Sequence, residues 1–132
     1  HVGRKKDMIR RGGENISAVE VEAALAEHPA VRAAACIPVP DELRGEEVKA
    51  YVQVADDGAG EISPAALHAF VAARLAPFKV PRYIELVESF PLTQSEKIAK
   101  ATLVASREDH RIGSWDADRS LPGRSRPENP AP

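Results

Sequence analysis

The sequence predicts a small α+β sandwich, in which helices pack on a three-stranded sheet that follows a short N-terminal hairpin. Segments with the apolar spacing of helices alternate along the chain with segments that have the spacing of strands. The length of 132 residues is enough for one modest core. Because 43% of the residues are hydrophobic and only 5% are aromatic, alanine, valine, leucine and isoleucine should fill that core.

The N-terminal segment is basic and rich in turn-forming residues. Apolar residues flank Gly12 and Gly13, a pattern that predicts a hairpin with a flexible tip. Ser17 followed by Glu20 fits a capping box, in which the serine hydroxyl accepts from a free amide of the first turn and the glutamate reaches back. The helix that starts there ends before Pro29. Its inward face consists of Val21, Ala24, Leu25 and His28.

Two stretches in the middle of the chain predict strands. Residues 31–37 are an almost continuously apolar run, which is typical of a buried strand. In residues 48–54, apolar positions alternate with polar ones such as Lys49 and Tyr51, which predicts a strand with one face toward solvent. A loop is expected over 38–45 and a turn over 56–60.

A second helix and a third strand complete the predicted sandwich. Ser63, with Pro64 at the first helical position, begins the helix, and Pro77 ends it. Its apolar face consists of Leu67, Phe70, Val71 and Leu75. A strand over 83–87 and a short last helix over 101–107 follow.

The chain divides into three parts. Residues 1–17 hold the hairpin, residues 18–112 form the compact α+β domain, and residues 113–132 form a tail. The tail is rich in glycine, serine, arginine and proline, and its few apolar residues cannot offset the entropy cost of ordering it. We therefore predict that it is disordered.

Bulk properties exclude several classes of function. The net charge of −2 gives no overall attraction to nucleic acid or membranes, so an anionic ligand would need a local basic cluster. No segment approaches the ~20 apolar residues of a membrane span, and no signal-peptide pattern opens the chain. The single cysteine, Cys36, lies in an apolar run and is expected to be a small buried residue. A cytoplasmic location is therefore expected.

Two features could carry chemistry. Basic residues are densest near the N-terminus, at Arg4, Lys5, Lys6, Arg10 and Arg11. This cluster is either a solvated surface or part of an anion site. The adjacent glycine pair either lets a ligand approach the backbone closely or forms a plain turn. Lys97 lies on a short polar loop, from which its ammonium could reach away from its own domain, although most exposed lysines only solvate a surface.

Three motifs carry a family resemblance: GRKKDMIRRGGENISAVEVE (3–22), FKVPR (78–82) and SEKIAK (95–100). Their wording and order resemble the C-terminal domain of the adenylate-forming acyl-CoA synthetases over about residues 3–107. Within that superfamily, the wording is most similar to carboxylate-CoA ligases of the crotonobetaine/carnitine-CoA ligase type.

The resemblance implies that the chain is the mobile lid of an ATP-dependent carboxylate-CoA ligase. Such an enzyme joins a small carboxylic acid to ATP as an acyl-adenylate and then transfers the acyl group to coenzyme A. A large N-terminal adenylation domain, expected in the same polypeptide, would carry the acyl pocket and most contacts to ATP and Mg²⁺. Alone, the present chain is expected to be inactive.

The resemblance assigns three residues to adenylation and domain movement. Lys97 matches the catalytic lysine, Lys6 matches the hinge about which the domain swings, and Arg4 matches an arginine that helps hold the nucleotide. The residue before the catalytic lysine is usually glycine in the family, whereas this chain has Glu96. The loop is therefore expected to be stiffer, and Glu96 could pair with Lys97 when the lysine is idle.

The resemblance also implies a coenzyme A site, consisting of Gly12, Gly13, Glu14, Arg44, Phe78, Lys79 and Arg82. The glycine segment would line the face on which the thioester forms. Arg44 and Phe78 would flank the adenine, and Lys79 and Arg82 would meet the 3'-phosphate. Ordinary packing of Phe78 and a solvated Arg44 are the structural alternatives.

Two other functions stay open at this point. The chain could be the C-terminal part of an adenylation domain that loads a carrier protein, although FKVPR and GGEN point away from it. It could also be a free-standing binding module without catalysis, which an N-terminal partner domain in the same reading frame would eliminate.

Overall fold

The computed structural model describes residues 7–55 and 62–120. Its strands are β1 (Met8–Arg11), β2 (Glu14–Ser17), β3 (Val31–Asp41), β4 (Gly45–Val54), β5 (Tyr83–Val87) and β6 (Trp115–Asp116). Its helices are α1 (Ala18–Ala26), α2 (Pro64–Ala72), α3 (Lys100–Ala105) and α4 (Ala117–Ser120), and a 3-10 turn spans Pro77–Lys79. These elements confirm the predicted α+β class. The turn expected over 56–60 lies outside the described residues.

The six strands of the described ranges belong to one sheet centred on β4. Strand β3 runs antiparallel to β4, from Val31 opposite Val54 to Asp41 opposite Gly45. Strand β5 pairs with β4 in parallel, and β6 extends β5 in the antiparallel direction. The β1–β2 hairpin joins the sheet where Arg11 pairs with Gly45. The three predicted strands are therefore the centre of a wider sheet that includes the hairpin.

Serine caps begin both long helices, as the sequence predicts. The hydroxyl of Ser17 accepts a hydrogen bond from the amide of Glu20 at 3.3 Å, and that of Ser63 accepts from Ala66 at 3.1 Å. The hydrogen bond to Ser17 is only one half of the predicted capping box, in which the Glu20 carboxylate would also reach back to the start of the helix. That carboxylate pairs instead with the ammonium of Lys79, 2.9 Å away.

The main core lies between the sheet and the helices α1 and α2. Its largest members are Ile9, Ile16, Val21, Leu25, Val48, Val52, Leu67, Val71 and Ile84. Cys36 is buried in this core, as predicted. Burial, with a smaller effect of Glu22, raises the pKa of the Cys36 thiol well above its usual range, so the side chain stays a neutral thiol.

The opposite face of β4 is not open to solvent, which corrects the sequence expectation. Lys49 and Tyr51 are 0% and 1% exposed. A second core covers this face and consists of Ala35, Ile37, Tyr51, Phe90 and Leu103. The buried Lys49 ammonium donates to the Glu85 carboxylate and to the His110 carbonyl, both at 2.6 Å. Burial lowers the pKa of Lys49 to about 8, although Glu85 opposes this effect.

The C-terminal segment also differs from the expectation of disorder from residue 113. Residues 113–120 include β6 and α4, and the amide of Ala117 donates to the Arg82 carbonyl at 2.8 Å. Periodicity gives little sign of this segment because its strand is only two residues long. Residues 121–132 lie outside the described part of the chain.

Candidate functional site

Lys97 lies on a tight hairpin that backbone hydrogen bonds close. The Thr93 amide donates to the Lys97 carbonyl at 2.7 Å, and the Lys97 amide donates to the Thr93 hydroxyl at 3.2 Å. Leu92 and Ile98 form an antiparallel bridge at the base of the hairpin. The Lys97 side chain is exposed, so the hairpin holds the backbone while the ammonium projects into solvent.

Glu96 explains why glycine suits the position before this lysine. Its φ is 65°, in the left-handed region that side chains with a Cβ disfavour by about 1–2 kcal/mol. The turn keeps this conformation because the Glu96 amide donates to the Thr93 carbonyl at 2.9 Å. None of the ion pairs within the described ranges joins Glu96 to Lys97.

The base of the Lys97 hairpin is anchored to the body of the domain. Ile98 packs on the second core beside Phe90 and Leu103. The Ala99 amide donates to the Pro91 carbonyl at 2.8 Å. Helix α3 then starts at Lys100, so little free backbone separates the hairpin from a helix.

The glycine pair forms the tip of the β1–β2 hairpin. Gly12 and Gly13 have φ values of 57° and 86°, which explains the need for glycine at both positions. Apart from the glycine itself and its two chain neighbours, no heavy atom of the described chain lies within 4 Å of the place where a Cβ would sit on either residue. The Gly12 amide donates to the Arg44 carbonyl at 2.8 Å, and Glu14 is exposed beside the tip. The structure therefore brings together Gly12 and Arg44, two of the residues expected to contact coenzyme A.

A buried carboxylate, Glu47, organises the arginines near this tip. Glu47 is 1% exposed, and Arg11 Nε lies 2.6 Å from its Oε1. Arg44 Nε and Arg82 Nη1 approach Oε2 at 3.4 and 3.9 Å. The sequence pattern does not single out Glu47, because two of its three cationic partners, Arg11 and Arg82, come from distant segments.

Arg82 is held inside the domain, unlike the exposed phosphate contact implied by the resemblance. The guanidinium is 7% exposed and contacts both carboxylate oxygens of Asp116, at 2.8 and 3.1 Å. It also reaches Asp41 at 3.2 Å and Asp118 at 3.5 Å. Burial alone would lower the pKa of Arg82, but the hydrogen bond to Asp116 and the nearby charges raise it above its usual value. Its charge is already matched by carboxylates of this chain.

Phe78 and Lys79 lie on the 3-10 turn that follows α2. The Phe78 ring is half-buried against the main core. Lys79 Nζ lies 5.6 Å from the centroid of that ring and pairs with both carboxylate oxygens of Glu20, at 2.9 and 3.1 Å. Partly exposed pairs of this kind contribute about 0–1 kcal/mol, so Lys79 can exchange Glu20 for another anion.

The predicted site residues thus fall in separate places. The Gly12–Arg44 contact lies at one end of β4, whereas Lys97 lies on the hairpin before α3. No hydrogen bond or ion pair of the described residues joins these two regions. Arg4 and Lys6 lie outside the described part of the chain.

The arrangement of these elements agrees with a known family. The profile of the AMP-binding enzyme C-terminal domain matches residues 20–97. The chain belongs to this family. The match confirms the resemblance indicated by the three sequence motifs, and it extends from Glu20 in α1 to Lys97 itself.

Several relatives of this AMP-binding C-terminal domain are named as CoA ligases. The chain is 44% identical over 110 residues to a mitochondrial medium-chain acyl-CoA ligase of Mus musculus, covering 83% of this chain and 17% of the relative. It is 42% identical over 103 residues to a crotonobetaine/carnitine–CoA ligase of Proteus mirabilis (strain HI4320), covering 77% and 19%. The structure of o-succinylbenzoate CoA synthetase from Bacillus subtilis, in complex with its acyl-adenylate intermediate, matches with a TM-score of 0.68 and 31% identity, covering 78% of this chain and 20% of that one.

The chain spans less than a fifth of the length of the two curated ligases. It corresponds to the C-terminal part of such proteins, and the structural match confirms the fold of this part.

Over residues 7–55 and 62–120, no group of three or more His, Cys, Asp or Glu side chains is placed to hold a metal ion. Likewise, none of the helices in these ranges has the length and apolar character needed to span a bilayer.

Proposed function

We propose that this chain is the mobile C-terminal lid of an ATP-dependent carboxylate-CoA ligase. The lid alternates between a pose that forms the acyl-adenylate and a pose that admits coenzyme A. The ligase family of its relatives and the separation of two candidate functional regions on one small domain support this function.

The observation that carries the proposal is the presentation of Lys97. Its hairpin is closed by three hydrogen bonds around Thr93, and its base is anchored beside the second core. The side chain is nevertheless exposed, and none of the ion pairs in the described ranges includes it. A fixed backbone with an available ammonium is what insertion into a neighbouring active site requires.

The chemistry explains why a lysine is needed. In adenylation, a carboxylate oxygen bonds to the α-phosphorus of ATP while the bond to pyrophosphate breaks. Both reactants are anionic, so repulsion and growing charge on the phosphoryl oxygens raise the barrier. The Lys97 ammonium offsets both, and loss of one such preorganised group costs about 3 kcal/mol.

The second pose uses the glycine hairpin and its neighbours. Gly12 and Gly13 leave room for the pantetheine arm, and Glu14 lies beside them. Arg44 and Phe78 contact the adenine, and Lys79 releases Glu20 to meet the 3'-phosphate. Arg82 supports this region by holding Glu47 and Asp41, which also contact Arg44.

The rest of the reaction belongs to a large N-terminal domain of the same polypeptide. That domain binds the carboxylic acid, most of the ATP and its Mg²⁺, while Arg4 assists with the nucleotide and Lys6 serves as the hinge. The acid is a short or medium acyl chain or a carnitine-like molecule, as the names of the relatives suggest. Because the mouse relative is named as mitochondrial, a cytoplasmic location stays a prediction for this protein.

The two half-reactions of the full-length protein test this function. Wild-type protein should form acyl-adenylate from ATP and a medium-chain acid and should convert supplied acyl-adenylate to the thioester. Lys97→Ala should slow adenylation by about 100-fold and leave thioester formation nearly unchanged. Equal loss in both steps would contradict the two poses. Adenylate formation without transfer to coenzyme A would instead favour loading of a carrier protein.

A further inference from the structure

Lys100 lies between two carboxylates that come from different elements of the domain. Its Nζ is 2.8 Å from Asp7 Oδ1, just before β1, and 2.7 Å from Glu22 Oε2 on α1. Lys100 is the first residue of α3 and follows the Lys97 hairpin by three positions. One ammonium therefore joins the start of the chain's described part to the base of that hairpin.

Glu22 is itself held in place. The oxygen that contacts Lys100 also accepts a hydrogen bond from the Cys36 amide at 2.8 Å. This bond joins α1 to β3 through a side chain that is only 21% exposed. Lys100 is consequently tied to the body of the domain through Glu22, while its second bond holds Asp7. Burial would lower the pKa of Lys100, but Asp7 and Glu22 together raise it, so the ammonium keeps its charge.

We propose that Lys100 is a positioning residue, which fixes the Lys97 hairpin relative to the hinge-side segment at Asp7. This inference rests on the proposed function, in which the domain turns about the adjacent Lys6. The bond from Lys100 to Asp7 makes the segment after the hinge and helix α3 move as one unit. Rotation of the domain about Lys6 then carries Lys97 with it, because the backbone between Asp7 and the Lys97 hairpin does not bend. Without the ammonium, Asp7 and Glu22 would be two like charges with no bond between them.

The full-length protein with Lys100→Met, Lys100→Arg or Asp7→Ala tests this role. Lys100→Met should lower kcat for adenylation by about tenfold or more, because small misplacement of a catalytic group has large effects. The KM for ATP should change by less than about twofold, since Lys100 does not bind the nucleotide. Thioester formation from supplied acyl-adenylate should be unaffected, and Lys100→Arg should restore most of the adenylation rate.

Asp7→Ala removes the hinge-side acceptor and leaves the bond from Lys100 to Glu22, so it tests the coupling even if Lys100→Met folds poorly. This variant should also lower the rate of adenylation and leave the rate of thioester formation unchanged. Glu27→Gln is a matched control, because it breaks an exposed pair with Arg74 that lies between α1 and the end of α2. It should leave both half-reactions unchanged. Equal loss in both half-reactions, or normal adenylation in Asp7→Ala, would overturn the positioning role.

Amide hydrogen exchange of residues 92–100 separates this inference from the function on which it rests. Lys100→Met should speed exchange in this segment, and Glu27→Gln should not. If wild-type protein forms no acyl-adenylate, the proposed function fails and the positioning role fails with it, whatever the exchange shows. If wild-type protein is active but the exchange and adenylation of the Lys100 variants match it, only the positioning role is overturned.

Discussion

Arg82 and Asp116 form a two-point ion pair that fastens the C-terminal segment to the sheet. Arg82 Nε and Nη2 lie 2.8 and 3.1 Å from the two oxygens of Asp116, and the next residue, Ala117, donates its amide to the Arg82 carbonyl. The guanidinium also faces Asp41 and Glu47, at 3.2 and 3.9 Å. A single arginine thus compensates carboxylates from three parts of the chain, and its main contribution is to stability.

Replacing Arg82 with alanine should therefore destabilise the domain strongly. The change leaves several part-buried or buried carboxylates without their shared cation, and breaking such a pair costs about 3–5 kcal/mol. Urea unfolding followed by far-UV circular dichroism would measure the loss in the free energy of unfolding.

Arg74→Ala is the control for Arg82→Ala, because Arg74 and Glu27 form an exposed pair at 3.1 Å. Its effect should stay within about 1 kcal/mol. Equal effects of the two substitutions would mean that the carboxylates around Arg82 do not depend on it. Any loss of coenzyme A affinity in Arg82→Ala must be judged against this loss of stability.

Low pH should lower the free energy of unfolding of the domain, because it protonates the Glu85 carboxylate. This carboxylate accepts from Lys49 at 2.6 Å and from two nitrogens of Arg107, each at 2.9 Å. Burial raises the pKa of Glu85, but the hydrogen bonds from Arg107 and Lys49 outweigh burial and hold the pKa below its usual 4.5. A carboxyl group with a depressed folded-state pKa stabilises fully above its unfolded pKa, and this stabilisation disappears as pH falls through the folded value.

Unfolding of wild type, Glu85→Gln and Glu88→Gln by urea at several pH values would test this expectation. Glu85→Gln should be less stable at neutral pH and should lose less stability between about pH 5 and pH 3 than wild type. Glu88 is exposed and close in sequence, so Glu88→Gln should follow the wild-type curve. An unchanged pH slope in Glu85→Gln would show that other carboxylates control acid unfolding.

Phe78 should matter for coenzyme A and not for ATP. If its ring stacks on the adenine, Phe78→Ala loses about 1–3 kcal/mol, which raises the KM for coenzyme A by about tenfold or more. Phe70→Ala is the matched control, because Phe70 is also a half-buried phenylalanine packed on the main core. Steady-state kinetics of the full-length protein would compare them. Similar increases in the KM for coenzyme A in both variants would mean that Phe78 only packs on the core and does not contact the adenine.

Local signals made much of the fold predictable. The serine caps at Ser17 and Ser63 need only the next few residues, and strand β5 is found over the predicted residues 83–87. The burial of Lys49 was not predictable, because its partners Glu85 and His110 lie 36 and 61 residues away. A lysine at an alternating position reads as solvent-exposed until such partners are known.

In the candidate site too, local motifs were informative and contacts between distant residues were not predictable. The motifs identified the family and the residues expected to act, and the family match reaches Lys97. They did not indicate Glu47, which gathers Arg11 and Arg44, or the contact from Lys100 to Asp7. The contacts of Glu47 with Arg11 and of Lys100 with Asp7 depend on tertiary placement, because 36 and 93 residues separate the partners in sequence. The roles assigned to the site residues stay predictions.

Glu96→Gly should stabilise the Lys97 hairpin slightly. Relief of the left-handed conformation at φ 65° is worth about 1–2 kcal/mol, whereas glycine adds unfolded-state entropy that costs about 0.4–1 kcal/mol. The difference between the midpoints of these ranges is a net gain of about 0.8 kcal/mol in the free energy of unfolding, which urea unfolding would measure.

Two control variants separate backbone strain at Glu96 from its charge. Glu96→Ala removes the carboxylate but keeps a Cβ in the left-handed region, so it should give no gain in stability. Ser95→Gly places glycine at the preceding residue, whose φ is not positive, and should therefore be destabilising by about 0.4–1 kcal/mol. If Glu96→Ala stabilises the domain as much as Glu96→Gly does, the wild-type residue is destabilising because of repulsion by its carboxylate and not because of backbone strain. If Glu96→Gly destabilises like Ser95→Gly, the turn carries no strain that glycine can relieve.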